Sequence, residues 1–475
     1  MSDALSSVVD QALRIIKPDE NLRKKVNQTV ETVIKDLKEV FLKIDQRIEV
    51  ELEGSIAKDT WTSKDIDADI FVLFPKDYSK NEIGKITINS VVSKYGKEKC
   101  LLRYAEHPYV TINFEFMDVD VVPCYKVEPP NWLSATDRSV YHTRFVRSKF
   151  DDKLKDSSRL LKVFLKSIGA YGAEIKIGGF SGFLCELLVY NYGGFLETIK
   201  AFSEVKLPLI IDPTRKSAQL NKKTLIETFG SDFIVIDPVD PERNVAAAVT
   251  KENFWKFSWA CRSFLKRPSL SYFRLEGFLE PSSLEEITNA VSSGDLKIYG
   301  ILVKPWKAPP DVLWGQIKRI LKRIESEAKQ NDFNVVKSEA WSDEVEELLF
   351  LFVLENDKIE AKEQLGPKTF DYENAEKFIK KHLNDKNTLF GPFIKDERWY
   401  VLKKRTLTTF SDMLEFIVSS DKFLSSLPQE AVSSFKSFKV LKSTDLIKYV
   451  TSSKDKKKAL VRLLSGKEWW IKNIV

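Results

Sequence analysis

No run in this chain approaches the ~18 consecutive apolar residues that cross a bilayer. Asp3 stands near the N-terminus with no apolar segment behind it, so neither a membrane span nor a secretory leader is expected. Cysteine is scarce. The four present, Cys100, Cys124, Cys185 and Cys261, are widely spaced with no CxxC pair. That excludes a disulfide framework and a cysteine zinc site, and it reads as free thiols in a reducing cytoplasm. Histidine numbers only three, and neither a Cys/His cluster nor a Ser-His-Asp arrangement can be found. Net charge is also small: 75 Lys and Arg against 69 Asp and Glu give +6, which permits a basic face without demanding one. There is no internal repeat and no low-complexity tract. What remains, 43% hydrophobic and 30% charged over 475 residues, describes a soluble globular chain of roughly three domains.

Periodicity places the elements. Residues 1–45 read as helix, with Pro18 at a first helical position before Asp19 and Glu20. Val26, Val30, Val33, Ile34, Leu37, Val40, Phe41 and Ile44 form its core-facing stripe. Ile48, Val50 and Leu52 alternate with Glu49, Glu51 and Glu53, a half-buried strand ending at Gly54. A second strand runs from Asp67 to Phe74, a helix lies near 80–95, and Tyr109 to Val122 reads as a hairpin whose turn near Glu115 lacks glycine. From about 150 to 260 the pattern is helical, with Ser181 capping a helix over 183–192 and a rigid loop at Asp237-Pro238-Val239-Asp240-Pro241. Strands at 297–303, 333–337, 347–354 and 398–402, with a helix from Pro309 to Lys329, suggest a small ferredoxin-like sheet. The last 70 residues read as helix. The expected architecture is multidomain α+β: a mixed-sheet head over 1–148, a helical central domain over 149–275, an α+β body over 276–405 and a helical tail over 406–475.

Chemistry concentrates after Gly54-Ser55. Glycine lets the backbone approach an anion, and the serine hydroxyl, the free amides and Lys58 suit phosphate oxygens. An ordinary turn with Ser55 as N-cap is the plain alternative. Asp67 and Asp69 then share one face at the head of an apolar strand, where aspartate is disfavoured and two carboxylates repel unless a cation separates them. Asp65 shares that face too, but 67 and 69 sit directly on the buried strand. Asp120, deeper in its strand than Asp118, supplies a third carboxylate if the two strands are neighbours. Three such oxygen donors can hold two divalent ions for in-line phosphoryl transfer, and they favour magnesium over zinc.

These motifs resemble the nucleotidyltransferase superfamily that contains poly(A) polymerases. Tyr104-Ala105-Glu106-His107-Pro108-Tyr109, Val119 to Tyr125, Tyr171-Gly172-Ala173-Glu174, Gly179 to Gly182, Asp237 to Asp240 and Arg243 to Ala247 narrow the likeness to the archaeal (class I) CCA-adding enzymes. The resemblance implies a nucleotidyltransferase head and template-independent addition of C, C and A to the tRNA 3′ end from CTP and ATP, with release of pyrophosphate. By position it gives Gly54, Ser55 and Lys58 to the nucleotide phosphates and Asp67, Asp69 and Asp120 to the metal. His142, Lys162 and Tyr171 fall on further nucleotide-binding positions, and Arg243 matches an arginine facing the incoming base. Taken from the residues alone, Lys162 is a solvated helix lysine, His142 a satisfied histidine and Arg243 a partner of Asp237 or Asp240. Lys456-Lys457-Lys458 and Trp469-Trp470 suit RNA by charge and stacking, or the tryptophans belong to a core. The tail is expected to bind tRNA, and oligomeric state stays open, a homodimer included. The rival readings are a poly(A)-type or oligoadenylate-forming polymerase and a non-catalytic RNA-binding module.

Overall fold

The computed structural model describes residues 2–64, 66–104, 107–214, 221–274, 282–453, 456, 464 and 466–474. Two compact units divide the chain: Met1–Phe278 joined by Glu468–Val475, and Leu279–Lys467.

The first unit opens with α1 (Ser2–Ile16) and α2 (Glu20–Leu42). The expected single helix is broken at 17–19. Pro18 therefore lies outside α2, and Asp19 is the N-cap, its carboxylate accepting from the Leu22 amide at 2.8 Å. That carboxylate satisfies the open amides of the first turn, so the helix starts one residue after it. The chain continues through β1 (Glu49–Glu53), the one-turn helix α3 (Gly54–Ala57), β2 (Asp67–Phe74), α4 (Lys80–Tyr95), β3 (Cys100–Tyr104), β4 (Pro108–Phe114) and β5 (Met117–Tyr125). The strands order as β1-β2-β5-β4-β3, and β2 with β5 is the parallel pair of this sheet. Period-2 alternation gives each face its role. Ala68, Ile70, Val72 and Phe74 join the α2 stripe Val26, Val30, Val33, Leu37 and Phe41 in one core. Phe71 and Leu73 pack on the other face with Val140 of α5 (Arg138–Lys149), leaving Asp67 and Asp69 at the open end of that face.

Helices follow: α6 (Asp152–Ile168), α7 (Gly182–Tyr192) and α8 (Phe195–Ser203). A parallel pair, β6 (Leu209–Ile211) and β7 (Phe233–Val235), brackets α9 (Lys222–Phe229), and α10 (Lys251–Lys266) completes the set. Their shared core is aromatic: Phe164 meets Phe195, Phe257, Phe264, Tyr272 and Phe273 at ring centroid distances between 5.2 and 6.2 Å. Trp470 is buried in this core, its carbonyl accepting from Ser263 Oγ at 2.7 Å, and Trp469 lies 4.7 Å from the Tyr272 ring. Trp470 is thus a core residue of the first unit, and Trp469 packs against that core.

The second unit holds α11 (Ser282–Ser293), β8 (Lys297–Val303), α12 (Pro310–Gln330), β9 (Val335–Ser342) and β10 (Leu348–Leu354). Next come β11 (Ala361–Lys368), α13 (Tyr372–Leu383), β12 (Thr388–Lys395) and β13 (Arg398–Lys404). The unit ends with α14 (Phe410–Ser419), α15 (Asp421–Leu424), α16 (Gln429–Phe435), β14 (Lys439–Lys442) and α17 (Ser443–Thr451). Its main sheet runs β14-β8-β10-β9, all antiparallel, which is the ferredoxin-like order. One face packs on α12 and α14, the other on α11 and α17. β11, β13 and β12 form a separate three-stranded sheet, with α13 lying between β11 and β12 in sequence. The expected boundary at 405/406 falls inside the ferredoxin-like unit, because that sheet takes its last strand from Lys439–Lys442. Among the described residues no helix is long and apolar enough to cross a membrane.

Candidate active site

Parallel pairing of β2 with β5 sets Asp67 opposite Asp118 and Asp69 opposite Asp120, so all four side chains leave the sheet on one face. Antiparallel pairing sets Glu53 opposite Asp69 at the end of β1. The chain turns there at Gly54, whose φ is +67°. A Cβ on Gly54 would stand 1.8 Å from Asp69 Oδ2. Only glycine lets the turn lie against that carboxylate. Ser55 is the second residue of α3 and Glu53 occupies the cap position, so Ser55 is not the N-cap of that helix.

Charge is crowded at this corner. Burial, then the neighbouring Asp120 carboxylate, pushes the Asp69 carboxyl up to about 7. Burial and Asp67 also raise Asp120, against a bond from Thr111 Oγ1 to its Oδ1 at 2.6 Å. Asp118 is held instead by Asn113 Nδ2 at 2.7 Å. Among the described residues, no three His, Cys, Asp or Glu side chains are grouped so as to hold a metal ion as they stand. The donor set nevertheless fits a hard divalent cation: the available ligands are carboxylate oxygens, and a cation would relieve the repulsion that raises Asp69 and Asp120.

Lys58 and Lys162 are not solvated. They are 8% and 5% exposed and share one partner, Glu186 of α7. Lys58 Nζ donates to Glu186 Oε2 at 3.1 Å, Lys162 Nζ to Oε1 at 3.0 Å, and the Thr60 hydroxyl to Oε1 at 2.6 Å. Burial pushes the Glu186 carboxyl up, but the two ammonium groups outweigh it and hold it down at about 2. Tyr171 joins this corner. A Cβ on Gly182 would stand 3.1 Å from the Tyr171 hydroxyl and 3.5 Å from Lys162 Cε. Tyr171 is placed by a bridge to Phe180, with Gly179 so close that a Cβ there would stand 2.1 Å from the Ala170 carbonyl oxygen. Gly179 is what permits that closeness.

His142 and Arg243 meet at Asp237, which is fully buried. His142 Nε2 and Arg243 Nη1 each lie 2.8 Å from Asp237 Oδ2. The His142 ring stacks on Phe183 with centroids 3.9 Å apart. Burial pushes the imidazole down, against the pull of Asp237, which favours the neutral ring. Arg243 thus has the structural partner read from the loop, while still lining an open cleft of about 1010 Å³ with Ser181, Ala173, Trp132 and Asp240. A second cleft of about 670 Å³ is lined by Lys64, Asp67, Asn113, Met117 and Asp118.

Two other residues singled out from the sequence have neighbours of their own. His107 is buried and meets Tyr125 edge to face at 6.4 Å. Lys456 pairs with Glu347 at 2.6 Å in the second unit. Asp65, Ala105, Glu106, Lys454, Lys457 and Lys458 lie outside the described residues. Glu186 was missed, although its signal is legible: one carboxylate in the apolar run Leu184-Cys185-Glu186-Leu187-Leu188 must find a partner.

Comparison with known proteins matches three segments of the chain. Residues 33–144 match the nucleotidyltransferase domain, 156–274 the second domain of tRNA nucleotidyltransferase, and 297–441 the C-terminal domain of CCA-adding enzyme. A CCA-adding enzyme of Saccharolobus shibatae is 36% identical over 400 residues, 84% of this chain and 89% of that protein. Those of Pyrobaculum islandicum and Archaeoglobus fulgidus are 34% and 33% identical, over 86% and 85% of this chain and 93% and 87% of theirs. With identity at this level along most of its length, the chain belongs to the CCA-adding enzyme family.

Proposed function

We propose that this chain adds C, C and A to the 3′ end of tRNA from CTP and ATP, releasing pyrophosphate, without a template. The names of its relatives support the substrate. The reaction type rests on one observation, the β2–β5 register that aligns Asp67, Asp69 and Asp120 on one face beside the Gly54 turn.

Asp67, Asp69 and Asp120 are the residues that would hold magnesium, with Thr111 orienting Asp120. When bound, that ion supplies positive charge favouring ionisation of the primer 3′-hydroxyl and departure of pyrophosphate. The chain's own groups do the rest. The Gly54-Ser55 turn, Lys58, Lys162 and Tyr171 bind and orient the triphosphate, and the rigid Arg243, set by Asp237, faces the base. His142, stacked on Phe183 and held by Asp237 beside Arg243, is a further nucleotide-binding residue. With four free thiols and tRNA as substrate, the expected location is the cytoplasm.

Labelled CTP and ATP offered with magnesium to tRNA trimmed at its 3′ end test the reading. Growth that stops after two C and one A is expected. Long A tails from ATP alone would move the chain to the poly(A)-forming enzymes, and binding without incorporation would make it an RNA-binding module.

A further inference from the structure

Glu186 is 1% exposed, lies amid apolar residues of α7, and is given no part in the reaction above. Burying one carboxylate costs several kcal/mol unless its partners are well placed. Here the two oxygens are divided between two cations, Oε2 to Lys58 and Oε1 to Lys162 with Thr60. Lys162 Nζ spends all three protons, on Glu186 Oε1, on Thr60 Oγ1 at 2.9 Å and on the Thr60 carbonyl at 3.3 Å. Among the described residues, Lys58 Nζ makes only its hydrogen bond to Glu186, while lying 5.1 Å from the Phe183 ring centre. Two of its protons are therefore left for a ligand.

The strap that carries these groups is pinned at alternate residues. Lys58 and Thr60 are taken by Glu186, while Asp59 and Trp61 are taken through their carbonyls by Arg159 of α6. Arg159 is itself 1% exposed and also binds the Asp59 carboxylate. Arg159 and Lys162 anchor the strap to α6, and Glu186 ties it to α7. In doing so Glu186 places two ammonium groups side by side with a net single positive charge.

We propose that Glu186 is a positioning residue of the triphosphate site. It holds Lys162 as a fixed member and Lys58 as the member that turns its spare protons to phosphate oxygens. The idea rests on the nucleotidyl-transfer reading and names a residue through which that site is set.

Two measurements separate the two claims. Incorporation of C, C and A by the wild-type protein tests the reaction, whatever Glu186 does. Calorimetric titration with inorganic pyrophosphate and magnesium tests the phosphate site without any turnover. Glu186→Gln keeps the shape but turns an amide NH₂ toward one of the ammonium groups. By analogy with outer partners of metal ligands, KM for CTP and ATP and Kd for pyrophosphate are each expected to rise about tenfold. The KM for tRNA should stay within about twofold, since no tRNA contact is removed. Glu186→Asp, whose shorter carboxylate still reaches one lysine, should recover part of the loss. Where Glu186→Gln fails to fold, Thr60→Val deletes the bridging hydroxyl at nearly constant volume and should give the same pattern, smaller. Unchanged nucleotide KM and pyrophosphate affinity in a folded variant overturn the proposal. So do losses falling equally on tRNA, which would leave Glu186 a structural staple.

Discussion

Asp69 shows how a single residue trades stability for chemistry. Its folded value of about 7, raised by burial and then by Asp120, lies above the 3.8 of the free side chain. The folded protein therefore holds a proton that the unfolded chain releases, and cation-free stability is full below about pH 4 and is lost as pH rises toward 7. Asp69→Asn removes that loss. The cation-free variant should melt higher than the parent at pH 8, by on the order of 2 kcal/mol, and equally at pH 4. Magnesium should then stabilise the parent and not the variant, whose turnover is gone. Equal melting of the two at pH 8 would defeat the charge account. Gly54→Ala fails for a different reason, since its Cβ meets Asp69 Oδ2 and its backbone sits at φ +67°. A stability loss of about 1–3 kcal/mol with loss of turnover is expected, read by thermal melting and CTP incorporation. Asp67, Asp69, Asp120 and Gly54 were legible because a carboxylate opening an apolar strand and a glycine ending one violate local preference. The partners of Lys58 and Lys162 were not legible, because nothing in the order of residues says that a helix 128 residues from Lys58 supplies its acceptor.

At the scale of elements, α7 carries both Phe183 and Glu186 to the site, one helical turn apart on the same face. Its start is fixed by Ser181, which accepts from the Leu184 amide at 3.1 Å. Ser181→Ala should cost about 1 kcal/mol of stability by denaturant unfolding, with nucleotide KM rising alongside as the first turn frays. A KM unchanged in a destabilised variant would mean that Phe183 and Glu186 are held from their C-terminal side. Elements with a clear strand pattern, stripe or cap were found where expected: β2, the β4–β5 hairpin, α7 and α12. Two of the missed ones have a weak pattern. β11 reads Ala361 to Lys368 with charge and amide on both faces, and β14 has four residues, two of them lysine. Such strands form because a neighbouring edge is open to them, which is tertiary information. Likewise residues 1–45 read as one helix although Pro18 is itself a start signal, and the capping bond at Asp19 records the break.

For the whole molecule, the last residues matter more than their position suggests. Trp470→Ala should lower the stability of the first unit by about 3 kcal/mol in thermal denaturation, since it opens a cavity in a buried aromatic core. The variant should keep its affinity for tRNA wherever the first unit remains folded, a result that an RNA-stacking role for Trp470 would not allow. The two compact units are also chained in an unusual order, because the excursion of roughly 190 residues that makes the second unit begins and ends in the first. During synthesis the catalytic unit is thus left with an open core until residues 468–474 have been made and folded back. The aromatic core of the first unit is therefore closed by a residue separated from its other walls by the whole second unit, and a chain that stops short of Trp470 should expose that core to proteases and chaperones.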